Sequence, residues 1–205
     1  MPGRLCPTSS AYSLQSTAEI SSDSRSERPA TSQALTSAPE HKPFPAAVMG
    51  IAHAQNKLHQ LVRPLAADYE YIVIDCPPAV DAPVTQSALL ASDVCLIPLQ
   101  PTPSDLWATQ GITELINRAR LVNNDLRAFV VANRVSHTRL CHDALDVMRE
   151  DSDVPVLDAT LGSRMSFQQA ALEGSVPARM GSAHKVAAAE SQAVAREMYE
   201  RMGWL

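Results

Sequence analysis

Apolar residues fall into two kinds of run along the chain. Four stretches are short and nearly continuous in β-branched, aliphatic or aromatic residues. They are Tyr71 to Ile74, Asp93 to Leu99, Leu126 to Ala132, and Val154 to Leu157. Unbroken runs of this kind suit strands buried on both faces of a parallel sheet. Between them the apolar positions recur at helical spacing. Ile51, Ala54, Leu58, Leu61, Val62 and Leu65 mark a helix over 51–67, which Pro64 should kink or end. Ala108, Ile112, Leu115, Ile116 and Ala119 mark another, for which Ser104 is a good N-cap and Asp105 suits the first turn. Leu140, Ala144, Val147 and Met148 form the apolar face of a helix over 139–150. Shorter helices are expected over 83–90, with Pro83 in the first turn, and over 166–173, stopped by Gly174. A terminal helix over 184–202 places Val194, Met198 and Met202 in the core. Strands that alternate with helices predict an α/β fold: a parallel sheet with helices on both faces. Pro155 puts the last strand at an edge.

The first part of the chain reads differently. Residues 1–44 are rich in Ser, Pro and Thr and show no sustained apolar period. They are expected to be a disordered, loosely attached or unrelated segment, preceding a domain over 45–205. A solvated tail, a linker and a partner-binding tail are all compatible with that composition.

Chemistry concentrates where the strands end. The run Tyr71–Ile74 stops at Asp75, and Cys76-Pro77-Pro78 follow. Neither proline can donate to a ladder, so the strand ends there with a carboxylate at its carboxyl end. That edge is where open α/β sheets bind ligands. A carboxylate there serves a Mg²⁺, an attacking water or a polar ligand group, or else caps the next loop. Asn133 ends the third run and fits either an Asx turn or an amide that reads a ligand edge. The basic residues Arg164, Arg179, Lys185, Arg196 and Arg201 come late, interleaved with Glu173, Glu190, Glu197 and Glu200. That mixture suits a DNA patch or a solvated mixed-charge face.

The 205 residues allow one domain plus a tail, and a net charge of −5 gives no overall push toward nucleic acid. The four cysteines, Cys6, Cys76, Cys95 and Cys141, include no Cys-x-x-Cys pair. A zinc site or disulfide framework is therefore not indicated, and a reducing cytoplasm fits. No apolar run approaches the length of a membrane-spanning helix, and no apolar signal core stands at the start. The six histidines are scattered, with no metal-ligand spacing.

Three of these stretches together resemble a known family. Tyr71-Ile72-Val73-Ile74-Asp75-Cys76-Pro77-Pro78 is similar to the Walker B and switch region of ParA/MinD-type (deviant Walker) ATPases. Ser92 to Trp107 and Phe129-Val130-Val131-Ala132-Asn133-Arg134 follow in the order that family has them. The resemblance covers about 45–205 and is nearest the plasmid-partition ParA group. It implies a P-loop NTPase-like fold, ATP and Mg²⁺ as cofactors, and ATP-dependent dimerisation on DNA. By resemblance, Asp75 organises Mg²⁺ and the attacking water, Asn133 reads the adenine edge, and Pro155 belongs to the base-flanking segment. By resemblance Asp105 and Trp107 fall on a helix near the dimer and nucleotide interface; the simpler reading is a first-turn charge and a core tryptophan, and for Trp107 that reading is preferred. Arg164, Arg179 and Lys185 fall where the family binds non-specific DNA. The implied partners are a ParB-like centromere-binding protein, DNA, and a second copy or an intact ParA, with no membrane.

One element of the family pattern is not found. The lysines are Lys42, Lys57 and Lys185, none lies in a glycine-rich run, and no Gly-x-x-x-x-Gly-Lys-Ser/Thr occurs. Phosphoryl transfer is mostly positioning and charge stabilisation, which that loop supplies. The expectation is a fold truncated at its N-terminus, with impaired ATP chemistry and an open apolar sheet edge beside the Asp75 strand. The alternative is a non-enzymatic protein that binds and regulates an intact ParA-like partner. An amidotransferase-type or biotin-pathway ligase of the same fold branch is a third reading.

Overall fold

The computed structural model describes residues 4–9, 49–50, 52–79 and 81–205, and for 4–9, 52–53 and 106–109 the backbone alone. Four parallel strands build the sheet: β1 (Arg4–Ser9), β2 (Tyr71–Cys76), β3 (Val94–Leu99) and β4 (Arg127–Ala132). Their spatial order is β2-β1-β3-β4. Six helices accompany them among the described residues: α1 (Leu58–Leu65), α2 (Pro83–Leu89), α3 (Pro103–Arg120), α4 (Arg139–Asp151), α5 (Met165–Leu172) and α6 (Lys185–Met202).

The first finding is a correction. Residues 4–9 were expected to be loosely attached, yet they form a strand in the interior of the sheet. Arg4 through Ser9 pair with Tyr71 through Cys76 in register, and Thr8 pairs with Leu96 on the other side. The side of β2 expected to stand open is therefore occupied by β1. The rest of the N-terminal expectation, including the surroundings of Lys42, lies outside the described residues.

Side chains alternate across the sheet, as the pleat requires. Cys95 and Ile97 of β3, with Ala128, Val130 and Ala132 of β4, face one way. They meet Leu115, Ile116 and Ala119 of α3 and Leu145 and Met148 of α4. On the same side, Ile74 and Cys76 of β2 pack under Leu58 and Val62 of α1 and Ala88 of α2. Val94, Phe129 and Val131 face the opposite way, against Val194 and Met198 of α6. Helices thus cover both faces. The C-terminal aromatic residues extend this second layer toward β2. Tyr199 lies 6.0 Å from Tyr71 and 5.5 Å from Trp204, ring centre to ring centre.

Several local expectations shift. The stretch before β2 is not one helix: a 3₁₀ segment over Ala52–Lys57 precedes α1. α3 begins one residue before Ser104. Thr102 is its N-cap and accepts from the Asp105 N–H at 3.3 Å, and Pro103 takes the first helical position, where no donor is needed. Trp107 lies outside the described side chains. The buried face of α4 is Cys141, Ala144, Leu145 and Met148, with Leu140 and Val147 outside. Cys76 is buried, as the last residue of β2. Val154–Leu157 makes a single bridge, Val156 to Val130, in place of a full strand. Pro155 contributes no N–H, and the chain bulges away after Leu157. Gly174 follows α5 at φ 57, a left-handed residue that ends the helix.

Candidate functional site

The carboxyl ends of the strands converge on one edge of the sheet. Asp75 stands there on β2, exposed, in register with Thr8 of β1. Asn133 stands at the end of β4, and its N–H donates to Leu99 O at 2.7 Å. β1 and β3 separate the two, and Asp75 is in register with Thr8, Leu96 and Phe129, four residues short of Asn133. About 14 Å across the strands and about 13 Å along them therefore lie between the two, roughly 19 Å in all. Asp75 and Asn133 therefore lie on the same carboxyl side of the sheet but on the two outer strands.

Asn133 is 1% exposed. Its Oδ1 accepts from the N–H of Arg134 at 2.8 Å, a local loop bond. Arg134 itself sits at φ 53, in the left-handed region that costs a side-chain-bearing residue about 1 kcal/mol or more. Strain of this kind concentrates at ligand sites. Pro155 is exposed at the edge of β4, and its carbonyl accepts from Val130 N–H at 2.9 Å.

The chain after Pro155 runs beside β4 and past Asn133. Leu157 N–H donates to Val130 O, Leu161 N–H to Ala132 O, and Ser163 N–H to Val135 O. Residues 158–160 bulge out between the first two of these bonds. Glu197 of α6 catches the bulge: Asp158 N–H donates to its Oε1 at 2.9 Å and Ala159 N–H to its Oε2 at 2.7 Å. Arg201 completes the arrangement, with Nη2 at 2.6 Å from Glu197 Oε1 and 3.4 Å from Asp158 Oδ2. Burial pushes the Glu197 carboxyl up. The N–H groups of Ala159 and Asp158 and the Arg201 guanidinium outweigh burial and hold it below the ordinary glutamate value.

Arg164 does not project as a free basic side chain. Its Nε and Nη2 both donate to Glu190 Oε1, at 2.8 and 2.5 Å, while Glu190 Oε2 accepts from Gly162 N–H. Lys185 begins α6, and Arg179 lies in the 3₁₀ segment Pro177–Arg179; both are exposed. Asp105 accepts from Gln100 N–H at 3.1 Å, so its carboxylate fixes the turn into α3. Glu190 and Glu197 were read only as charges interleaved among basic residues. Their separation of two helical turns, which puts both on one face of α6, was the available signal.

Among the described residues no three His, Cys, Asp or Glu side chains cluster as a metal site. One exposed carboxylate still fits Mg²⁺, which commonly takes one or two protein carboxylates and leaves its remaining positions to water and phosphate. Asp75 is an exposed carboxylate on the carboxyl side of the sheet. Among the described residues no helix is long and apolar enough to cross a membrane.

A parallel sheet with helices on both faces and polar residues at its carboxyl ends is the architecture of a doubly wound α/β fold, and its solved neighbours are P-loop NTPase-like. Comparison with known proteins agrees. The AAA domain family model (AAA_31) matches residues 15–131, more than half of the chain. The chain belongs to this family, within the ParA/MinD-type P-loop ATPases. It is 31% identical to the maintenance of carboxysome distribution protein A of Halothiobacillus neapolitanus, over 64% of this chain and 61% of that protein. It is 43% identical to the chromosome partitioning protein ParA of Myxococcus xanthus, over 34% of this chain and 23% of that one. The cell division ATPase MinD of Pyrococcus furiosus shares the fold with a TM-score of 0.52 at 22% identity, covering 69% of this chain and 58% of that one. The chain thus spans under two thirds of the length of each of these relatives.

Proposed function

We propose that the chain is a ParA-like partition protein that serves plasmid or chromosome segregation in the cytoplasm, with a domain over 45–205 joined by β1. The reading rests above all on the placement of Asp75 and Asn133 along one carboxyl edge of the sheet, on strands in a ParA/MinD-type order. Asp75 provides the carboxylate for Mg²⁺ and for orienting water at the phosphate end. Asn133, with the segment that begins at Pro155, takes the base. Mg²⁺, held by Asp75, would supply charge neutralisation for the phosphates. Arg179 and Lys185 contact DNA phosphates, each adding a salt-dependence slope of about −0.9. Arg164 is committed to Glu190 and serves structure first. The partners are DNA, a ParB-like protein, and a second copy or an intact ParA.

The sequence contains no Gly-x-x-x-x-Gly-Lys-Ser/Thr. We infer that this polypeptide alone binds ATP weakly and does not hydrolyse it. Titration of a fluorescent ATP analogue with Mg²⁺ tests this. Weak binding that disappears in Asp75→Ala is expected, and micromolar affinity with turnover would overturn the inference. The same missing motif favours a second reading, a non-enzymatic regulator of an intact ParA-like protein. Stimulated or inhibited ATPase activity of such a partner on mixing would select it.

A further inference from the structure

α6 does more than cover a sheet face. Glu190 and Glu197 lie on one side of it and reach the same neighbouring segment at two places. Glu197 binds the N–H groups of Asp158 and Ala159, and Glu190 binds Gly162 N–H and the Arg164 guanidinium. This is the segment that runs beside Ala132 and Val135, on either side of Asn133. We propose that Glu190 and Glu197 are positioning residues, two carboxylate clips through which α6 sets the conformation of residues 158–164 beside Asn133. The inference rests on the nucleotide reading only for what the segment contacts.

The geometry argues for clips over incidental surface pairs. The bulged residues 158 and 159 have no β4 carbonyl opposite them, because the ladder passes directly from Leu157 to Leu161. Backbone donors in a bulge need an acceptor, and a carboxylate is the strong one. The clipped side chains are largely enclosed, at 15% exposure for Glu197 and 20% for Glu190, unlike the exposed pair of Arg139 and Asp143. Arg201 holds Glu197 in place and is itself anchored, since its carbonyl accepts from Arg127 Nη1 at 2.8 Å on β4. Gly162 leaves room for the other clip. A Cβ there would lie 3.2 Å from both Arg164 Nε and Glu190 Oε1. Lys185 and Arg179 flank the start of the same helix.

The test is amide hydrogen exchange read residue by residue by NMR on the full chain, with Glu197→Gln, Glu190→Gln and Arg201→Gln. Glutamine keeps one acceptor and turns the other into a donor. Glu197→Gln should speed exchange at Asp158 or Ala159 by about tenfold or more, and Glu190→Gln should do so at Gly162. Arg201→Gln should give a smaller rise at the Glu197 pair. Ile72 and Ile74 of β2 should stay protected in all three. Unchanged exchange at 158, 159 and 162 would overturn the proposal. So would a uniform rise that includes β2, which is general destabilisation. Asn133 side-chain signals recorded with millimolar Mg·ATP provide the second arm. If they respond in the wild type and less in the variants, the clips position a nucleotide site. If the local exchange changes occur and the wild-type signals ignore ATP, the clips are supported and the nucleotide reading fails.

Discussion

Removing residues 1–9 should abolish cooperative folding of the sheet. β1 lies between β2 and β3, paired along all six residues of β2 and joined to β3 at Thr8 and Leu96. Without it β2 has no described strand beside it, and is held by α1 and α2 on one face and by Tyr199 of α6 against Tyr71 on the other. A parallel ladder of this length contains on the order of five hydrogen bonds on the β2 side. At about 1 kcal/mol net for each, their loss costs roughly 5 kcal/mol before any effect on β3. Domains are typically stable by only about 5–15 kcal/mol, so the deletion uses most of what is available. Cys6→Pro probes the same pairing at full length. Every N–H of an interior strand faces one neighbour or the other, so a proline there removes a bond. Thermal unfolding followed by circular dichroism, together with exchange at Ile72 and Ile74, measures the outcome. A deletion variant with the wild-type midpoint and undiminished protection over 71–76 would refute the central placement of β1.

Three further outcomes follow from single groups. Met148 is 1% exposed between α4 and the sheet, and Met148→Ala should cost about 2–5 kcal/mol in denaturant unfolding, without loss of the fold's far-ultraviolet signature. A cost below half of that would place the side chain outside the core. The Glu197 carboxyl is held below its ordinary value in the folded state. Its contribution is therefore present above the unfolded glutamate pKa of about 4.3 and fades as pH falls through the lower folded value. The stability gap between wild type and Glu197→Gln should be constant near neutrality and shrink only in acid. A gap that instead closes between pH 6 and 8, on the order of the histidine range, would point to another group. Burial, and then the negative charge of Asp75, push the Cys76 thiol up to about 11. Iodoacetamide should label it far more slowly in the folded chain than in urea at the same pH, as read by mass spectrometry. Equal rates would show that Cys76 is not enclosed.

The fold was legible wherever burial on both sides of the sheet forced a dense apolar run. β3 and β4 declare themselves for that reason, and the α6 face of Val194 and Met198 does so by its helical spacing. β2 carries the same dense run, but it is buried on one face only: Ile74 and Cys76 are enclosed while Tyr71 and Val73 are exposed. β1 occupies an interior position with a sequence that hides it. Arg4-Leu5-Cys6-Pro7-Thr8-Ser9 has a charged residue, two hydroxyls and a proline, and proline in an interior strand is a signal against that assignment. β3 breaks the same rule at Pro98, but five apolar neighbours carry it. In β1 only Leu5 and Cys6 are clearly apolar, so the pairing seen in the fold has too little side-chain pattern behind it. α4 shows a smaller failure of the same kind. Leu140 and Val147 make as good an apolar stripe as Cys141 and Leu145, and only the packing against Val130 and Val154 decides between them.

At the site, the readable residues were those whose meaning comes from position along the chain. Asp75 and Asn133 each stop an apolar run, and a polar residue at a strand's carboxyl end lies on the ligand edge of a parallel sheet whatever its neighbours do. Glu190, Glu197 and Arg164 have no such address. Their sign and spacing fit an exposed mixed-charge face as well as they fit an enclosed clip, because charge patterning says nothing about where unpaired backbone N–H groups will be. Those groups arise from the bulge at 158–160, and the bulge arises from how Leu157 and Leu161 share β4. The carboxylates acquire their role from a register that no local pattern encodes. Arg164 makes the consequence concrete. Read as a charge it belonged to a DNA patch, and read with its partner it holds the entrance to α5. A salt titration of DNA binding should accordingly be less altered by Arg164→Gln than by Lys185→Gln, and equal loss of slope in both would restore the simpler patch.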